Sequence, residues 1–334
     1  MSQKEADLVA AQPTEPTTRP STRHKFRTRD KRILALRQFA ISITILTVVG
    51  QWFLGFEQAW AAPVAGVLTG YVVELLMESV EAWSRGRRPY YAGGALAMVD
   101  FLLPAHISGL ACALLIYGNS RVLPTVFTVA VAIVSKYVIR VRIDGRPRHI
   151  LNPSNFGIGL TLLAFPSVGM LQPYMFVETL SASVSWIVPV VLLTLGTMLN
   201  ARLTGRIPMI LAWLAGFVLQ ALVRAVLQSH TAFLGEIVTM AGATFILYTN
   251  YMITDPGTTP HSRRGQIYFG LSLAATYGVF MALHIVFAFF WALTVVGLVR
   301  LVWYSGRNHL PTVAALFRTR RMTAGADSAV AAAS

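Results

Sequence analysis

The feature that most constrains this chain is a succession of apolar runs, each roughly 17 to 22 residues long. At a helical rise of 1.5 Å per residue, such runs match a bilayer core of about 30 Å. Ten of them are legible, at 39–56, 60–78, 96–117, 122–138, 153–171, 183–199, 207–226, 234–253, 266–281 and 283–303. Charged residues make up only 13% of the chain, against about 25% in a soluble domain. The expected fold is therefore an all-α polytopic membrane protein embedded in the lipid bilayer. The third run is the weakest, because Pro104 and His106 interrupt it, and only His284 separates the last two.

The net charge of +14 would suit a nucleic-acid binder if the cations formed a patch on a soluble domain. They sit instead in short loops between the apolar runs, as topology determinants do. Nine Lys/Arg lie in residues 1–37, three in the 2–3 loop (Arg85, Arg87, Arg88) and five in the 4–5 loop (Lys136, Arg140, Arg142, Arg146, Arg148). The 6–7 and 8–9 loops add two each and the C-terminal end five, so that 26 of 28 cations fall on one side. Only Arg121 and Arg224 oppose them. This asymmetry predicts both termini in the cytoplasm and an even number of spans, best fitted by ten, in the cell membrane. Two groups of five would have opposite orientations, the arrangement of inverted-repeat transporters. Residues 1–37, polar and rich in Thr and Pro, read as a disordered basic tail that lies against anionic headgroups. Residues 38–303 form the membrane domain and 304–334 a cytoplasmic tail. No nucleic-acid partner and no cleavable leader are expected. Cys112 is the only cysteine and the seven histidines lack metal-ligand spacing, so no metal site is expected.

Two polar motifs interrupt this pattern. The first, GRPRHILNPSNFGIG (145–159), opens the fifth run. Asn152 is a good N-cap and Pro153 suits the first helical position. Ser154 and Asn155 then place polar groups in the first turn, and Gly157 and Gly159 remove side chains from the next. Two readings stand: a helix cap and nothing more, or a helix N-terminus that holds an anionic group beside Arg148 and His149. The second motif, TNYMITDPGTTPHSRR (249–264), closes the eighth run. Pro256 pushes Asp255 out of helical geometry, Gly257 turns the chain, and Thr258 and Thr259 can bond the exposed backbone. Again two readings stand, a helix stop or one wall of a cleft, since Asn250, Thr254 and Asp255 are groups that lipid does not tolerate. The residues read as cleft-lining or cofactor-binding are Asn152, Pro153, Ser154, Asn155, Gly157, Asn250, Thr254, Asp255, Pro256, Thr258 and Thr259. A separate set of ionisable groups, Glu74, Glu78, Asp100 and Lys136, lies in or beside apolar runs. It reads either as an ion or proton path or as interfacial charge. No catalytic constellation, phosphate-binding glycine loop or dinucleotide fingerprint is present.

Together, HILNPSNFGIG and YMITDPGTTP resemble the RnfD/NqrB family, which supplies a membrane component of the Rnf electron-transport complex and its counterpart in the sodium-pumping NADH:quinone oxidoreductase. The likeness covers residues 90–300, including FLLPAHISGLACALLIYG (101–118), and the spelling is most similar to a stand-alone branch associated with enediyne biosynthesis, the UnbU type. The resemblance implies a component of a redox-driven, ion-translocating complex with redox or biosynthetic protein partners. It also implies FMN joined by a phosphoester to a threonine of a Ser/Thr-Gly-Ala-Thr motif after the fifth span. Here that loop reads LQPYMFVETLSASVS (171–185), without Gly-Ala-Thr, and Gly242-Ala243-Thr244 spells the tripeptide only inside the eighth run. Covalent FMN is therefore not expected. The alternative function is a flavin-free permease for a small or hydrophobic metabolite, or a scaffold for a biosynthetic complex. The topology is testable: a tag at 118–121 should be labelled from outside intact cells, and a tag at 142–148 only after permeabilisation. Outside labelling of 142–148 would invert the orientation.

Overall fold

The computed structural model describes residues 22–54, 58–118, 121–143, 145–170, 180–181, 184–228 and 233–307. Eleven helices occur among them: α1 Thr22–Trp52, α2 Ala61–Ser84, α3 Ala95–Leu115, α4 Leu123–Val138, α5 Pro153–Ala164, α6 Ile187–Leu199, α7 Ile207–Leu227, α8 Phe233–Val238, α9 Ala243–Leu247, α10 Arg263–Ala282 and α11 Ala288–Arg307. Short antiparallel strands join them: β1 Ile116–Tyr117 pairs with β4 Gly169–Met170, and β2 Arg140–Ile143 with β3 Arg146–His149. Of the ten expected spans, five are helices long and apolar enough to cross a membrane: Ile33–Trp52, Ala61–Ser84, Ala95–Leu115, Ile207–Leu227 and Ala288–Arg307. The protein is by this measure largely helical and multi-pass.

The other runs are shorter or broken, for physical reasons. The fifth yields only the 12 residues of α5, because Phe165 leaves helical geometry before Pro166. The eighth breaks into α8, a 3-10 turn at Thr239–Ala241, α9 and a π-helical turn at Tyr248–Met252. The sixth ends in a second π-helical turn, Asn200–Thr204. The tenth starts at Ala288 rather than 283, since His284 and Phe287 both take positive φ between α10 and α11. At the other end, α1 reaches back to Thr22, into the stretch read as a tail. The third run, by contrast, is an unbroken helix through Pro104. His106 is held there on both ring nitrogens, by Thr44 Oγ1 and Tyr71 Oη at 2.8 Å each.

Apolar burial alone gives helices in lipid little reason to associate, so close packing must do it. Gly66 and Gly70 on α2 face Gly109 and Ala105 on α3; a Cβ at Gly109 would stand 2.7 Å from the Gly66 carbonyl oxygen. Gly157 on α5 faces the Thr128 carbonyl of α4, and the Thr128 and Thr161 hydroxyls bond at 2.7 Å. In the second half, Gly270 of α10 meets the backbone of Met209 on α7, and Gly216 of α7 meets Ala274. An aromatic cluster fills the space behind that contact: Trp213, Phe217, Phe245, Tyr248, Tyr277 and Phe289, with Tyr277 and Phe289 stacked at 4.6 Å. Gly109→Ala should lower stability in detergent by about 1–3 kcal/mol through overpacking. Gly306→Ala, where nothing lies within 4 Å, should not; thermal unfolding of both variants checks the difference.

Candidate functional site

The two polar motifs meet. Asn152 caps α5 by accepting from the Asn155 N–H at 3.0 Å, and its Nδ2 donates to the carbonyl of Met252, also at 3.0 Å. One side chain thus satisfies an orphan donor at one helix end and an orphan acceptor at another. Pro153 follows the cap without needing a partner for its nitrogen. Asn155 turns the other way and donates to the Phe290 carbonyl (2.9 Å) and Thr294 Oγ1 (3.0 Å), which fixes α5 against α11.

The Thr-Asp-Pro turn is knitted from within. Asp255 Oδ1 accepts from the Gly257 N–H at 2.9 Å, Oδ2 accepts from Thr258 Oγ1 at 3.0 Å, and its carbonyl accepts from Thr259 Oγ1 at 2.6 Å. Thr254 Oγ1 donates to the Asn250 carbonyl at 2.5 Å. The strut between the motifs is therefore the Asn152 amide rather than the Asp255 carboxylate. The outward carbonyls of the turn are taken by two arginines that the sequence did not single out. Arg206, 1% exposed, donates to Pro260 and, at 3.5 Å, to Pro256, while Arg300 donates to Thr258. Burial pushes the Arg206 guanidinium below its ordinary pKa and the Asp255 charge pulls it back up. Asn200 was also missed: its Nδ2 donates to the Asn250 carbonyl at 2.8 Å, joining the two π-helical turns. Its signal was an asparagine ending an apolar run, as Asn250 does.

These ends form the floor of a cleft of about 1300 Å³. Of the residues singled out, Asn152, Pro153, Ser154, Asn250, Thr254, Asp255 and Pro256 line it, whereas Asn155, Gly157, Thr258 and Thr259 do not. The walls come from α1, α3 and α6 and are apolar, with Ile43, Leu46, Leu114, Val188 and Leu192 among them. Phe39 of α1 stacks on Tyr251 at 4.9 Å.

Every carboxylate of the ionisable set is paired. Glu74 binds Lys136 and accepts from Tyr137 Oη at 3.0 Å. Arg87 grips Glu78 with two bonds, at 2.6 and 3.0 Å, and Arg37 grips Asp100 with two at 2.9 Å. The Glu78 contact raises the Arg87 pKa. Glu74, Asp100 and Lys136 line the cleft and Glu78 does not. No group of His, Cys, Asp and Glu suited to a metal occurs among the described residues. Thr244 is buried, 3% exposed. Most of the loop read against the flavin motif, 171–179 and 182–183, lies outside the described residues.

The double role of Asn152 is separable. Asn152→Ala should cost about 1 kcal/mol for the cap and about 1–3 kcal/mol for the unsatisfied carbonyl. Asn152→Asp keeps the cap but sets a carboxylate against the Met252 carbonyl, so it should not rescue stability; full rescue would reduce Asn152 to a cap. A scan against protein-family models gives no match for this chain, and a search of curated proteins gives none either.

Proposed function

We propose that this protein is a membrane component of the redox-driven, RnfD/NqrB type, and that its cleft holds a flavin without a covalent bond. The observation that carries this reading is the cleft itself: apolar walls of a size for a ring system, over a floor built from the two motifs that bear the resemblance. Asn250 lines that floor, and its Oδ1 is buried with no hydrogen-bond partner among the described residues. That oxygen faces Gly196 of α6, so the Asn250 side chain shapes the floor from behind and does not itself reach into the cleft. Asn152, Ser154 and Thr254 supply polar atoms, and Tyr251 an aromatic face. The buried Thr244 argues against a phosphoester there. Bound flavin would supply one- and two-electron redox chemistry; the chain's own residues bind it, orient it and exclude water.

The ten-span topology with two inverted halves belongs to the same proposal. It is supported by the packing of the second span on the fourth in each half, Gly70 against Val129 and Gly216 against Ala274. The ion path through Glu74, Asp100 and Lys136, with Glu78 behind, requires these pairs to exchange partners during turnover. Redox partner proteins, or enzymes of an enediyne-type pathway, would deliver the electrons.

A second reading, a permease for a hydrophobic metabolite, is favoured by one observation. The cleft of about 1300 Å³ exceeds the roughly 300–1,000 Å³ of most small-molecule sites. Flavin reconstitution separates the two. Protein purified in detergent and incubated with FMN or riboflavin should release all flavin fluorescence into the supernatant on acid precipitation. Asn152→Ala and Asp255→Asn should weaken binding by about tenfold or more, near 1.4 kcal/mol, and Thr244→Ala should not. Absence of flavin binding would sink the redox reading and leave the permease.

A further inference from the structure

Beside the cleft, sharing only His149 and Gly257 with it, lies a second cavity of about 510 Å³. It is walled by the β2–β3 hairpin, the 257–262 turn and the C-terminal part of α11. Four arginines line it: Arg142 and Arg148 from the hairpin, and Arg300 and Arg307, two helical turns apart on α11. No Asp or Glu is among the described residues of its lining. Elsewhere Glu74, Glu78, Glu81, Asp100 and Glu236 each hold a cation, so none of these acids is free to neutralise the cavity, and Arg148, Arg300 and Arg307 have no acidic partner among the described residues.

Two further details point inward. Arg300 is held in place by its bond to the Thr258 carbonyl and by the Phe269 ring, 5.3 Å from its guanidinium carbon. His261 sits between two guanidinium donors, Arg148 Nη1 at 3.3 Å and Arg206 Nη2 at 3.2 Å. A neutral imidazole has one acceptor nitrogen, so one of these contacts sets N–H against N–H. An acceptor oxygen in the cavity would relieve it.

We propose that this cavity binds a phosphate-bearing anion, either a phospholipid headgroup or a soluble phosphate. Like charges gathered in a concave site repel one another unless an anion joins them, and the planar guanidinium fork matches phosphate oxygens in pairs. The volume suits a phosphate together with the group it esterifies, or a diphosphate. The site does not depend on what the neighbouring cleft holds.

The full chain in neutral detergent is titrated with pyrophosphate, and the chain in phosphatidylcholine nanodiscs is compared with and without phosphatidic acid by native mass spectrometry. The double variant Arg148→Gln/Arg307→Gln is set against Arg263→Gln/Arg264→Gln, which removes the same charge outside the cavity. Pyrophosphate affinity reduced about tenfold or more in the first variant alone identifies a soluble ligand. Retention of phosphatidic acid lost in the first alone identifies a lipid. No binding of either probe, or equal loss in both variants, overturns the proposal. Arginine modification by phenylglyoxal on the wild-type chain gives a reading that needs no variant. The bound probe should protect Arg148 and Arg307 and leave Arg263 and Arg264 reactive, and equal modification with and without it also overturns the proposal.

Discussion

Inside an apolar layer, a backbone carbonyl released by the end of a helix has no water to turn to, and leaving it unpaired costs several kcal/mol. This chain ends or distorts helices around 152, 200–206 and 248–262, all at one end of the bundle. What makes that arrangement stable is a small set of side-chain donors aimed at those carbonyls. Asn152 serves Met252, Asn200 serves Asn250, Arg206 serves Pro256 and Pro260, and Arg300 serves Thr258. The cleft exists because its floor is made of helix ends rather than helix sides, and those ends persist only because they are mutually satisfied.

The same logic explains why an arginine is tolerated almost fully buried at 206. Its charge sits among carbonyl oxygens and within reach of the Asp255 charge, so its desolvation is offset by bonds that a neutral side chain of similar length would not make in such number. Removing it would leave carbonyls of the turn unpaired, which is the costly half of breaking a buried polar contact. The threonines of the turn contribute differently: Thr258 and Thr259 bond Asp255 locally and hold the turn's shape outside the cleft, while Thr254, bonded to the Asn250 carbonyl, lines it.

Much of this was legible in sequence because hydropathy and proline chemistry act locally. The Asn-Pro start of α5, the stop at Asp255-Pro256 and the break near His284 each follow from backbone preferences of the residues themselves. The π-helical turns at 200–204 and 248–252 were not legible, since they arise from a contact between Asn200 and Asn250, fifty residues apart. Nor were the partners of the buried acids. Lys136 holding Glu74 depends on how α2 packs on α4, and Arg37 and Arg87 gripping Asp100 and Glu78 depend on how α1 and the 2–3 loop fold back. Run length, for its part, measures apolar sequence and not helix continuity: the fifth run gives a short helix and the eighth a broken one.

The cleft's walls are not held equally. Its floor is fixed by hydrogen bonds buried in protein, whereas α1 is the least buried of the five long spans, at 22% against 28–44% for the others. Besides apolar contacts, α1 is attached through Phe39 on Tyr251, through Thr44 Oγ1 on His106 Nε2, and through the Arg37–Asp100 pair, whose side chains are 42% and 22% exposed. An ion pair that open to solvent contributes about 0–1 kcal/mol. Fewer buried polar bonds thus tie α1 to the cleft than tie the motifs of its floor to one another. On the proposed function, a ligand entering from the bilayer beside α1 would meet the apolar walls before the polar groups of Asn152 and Thr254. That order of contact would suit molecules with a hydrophobic body and a polar edge.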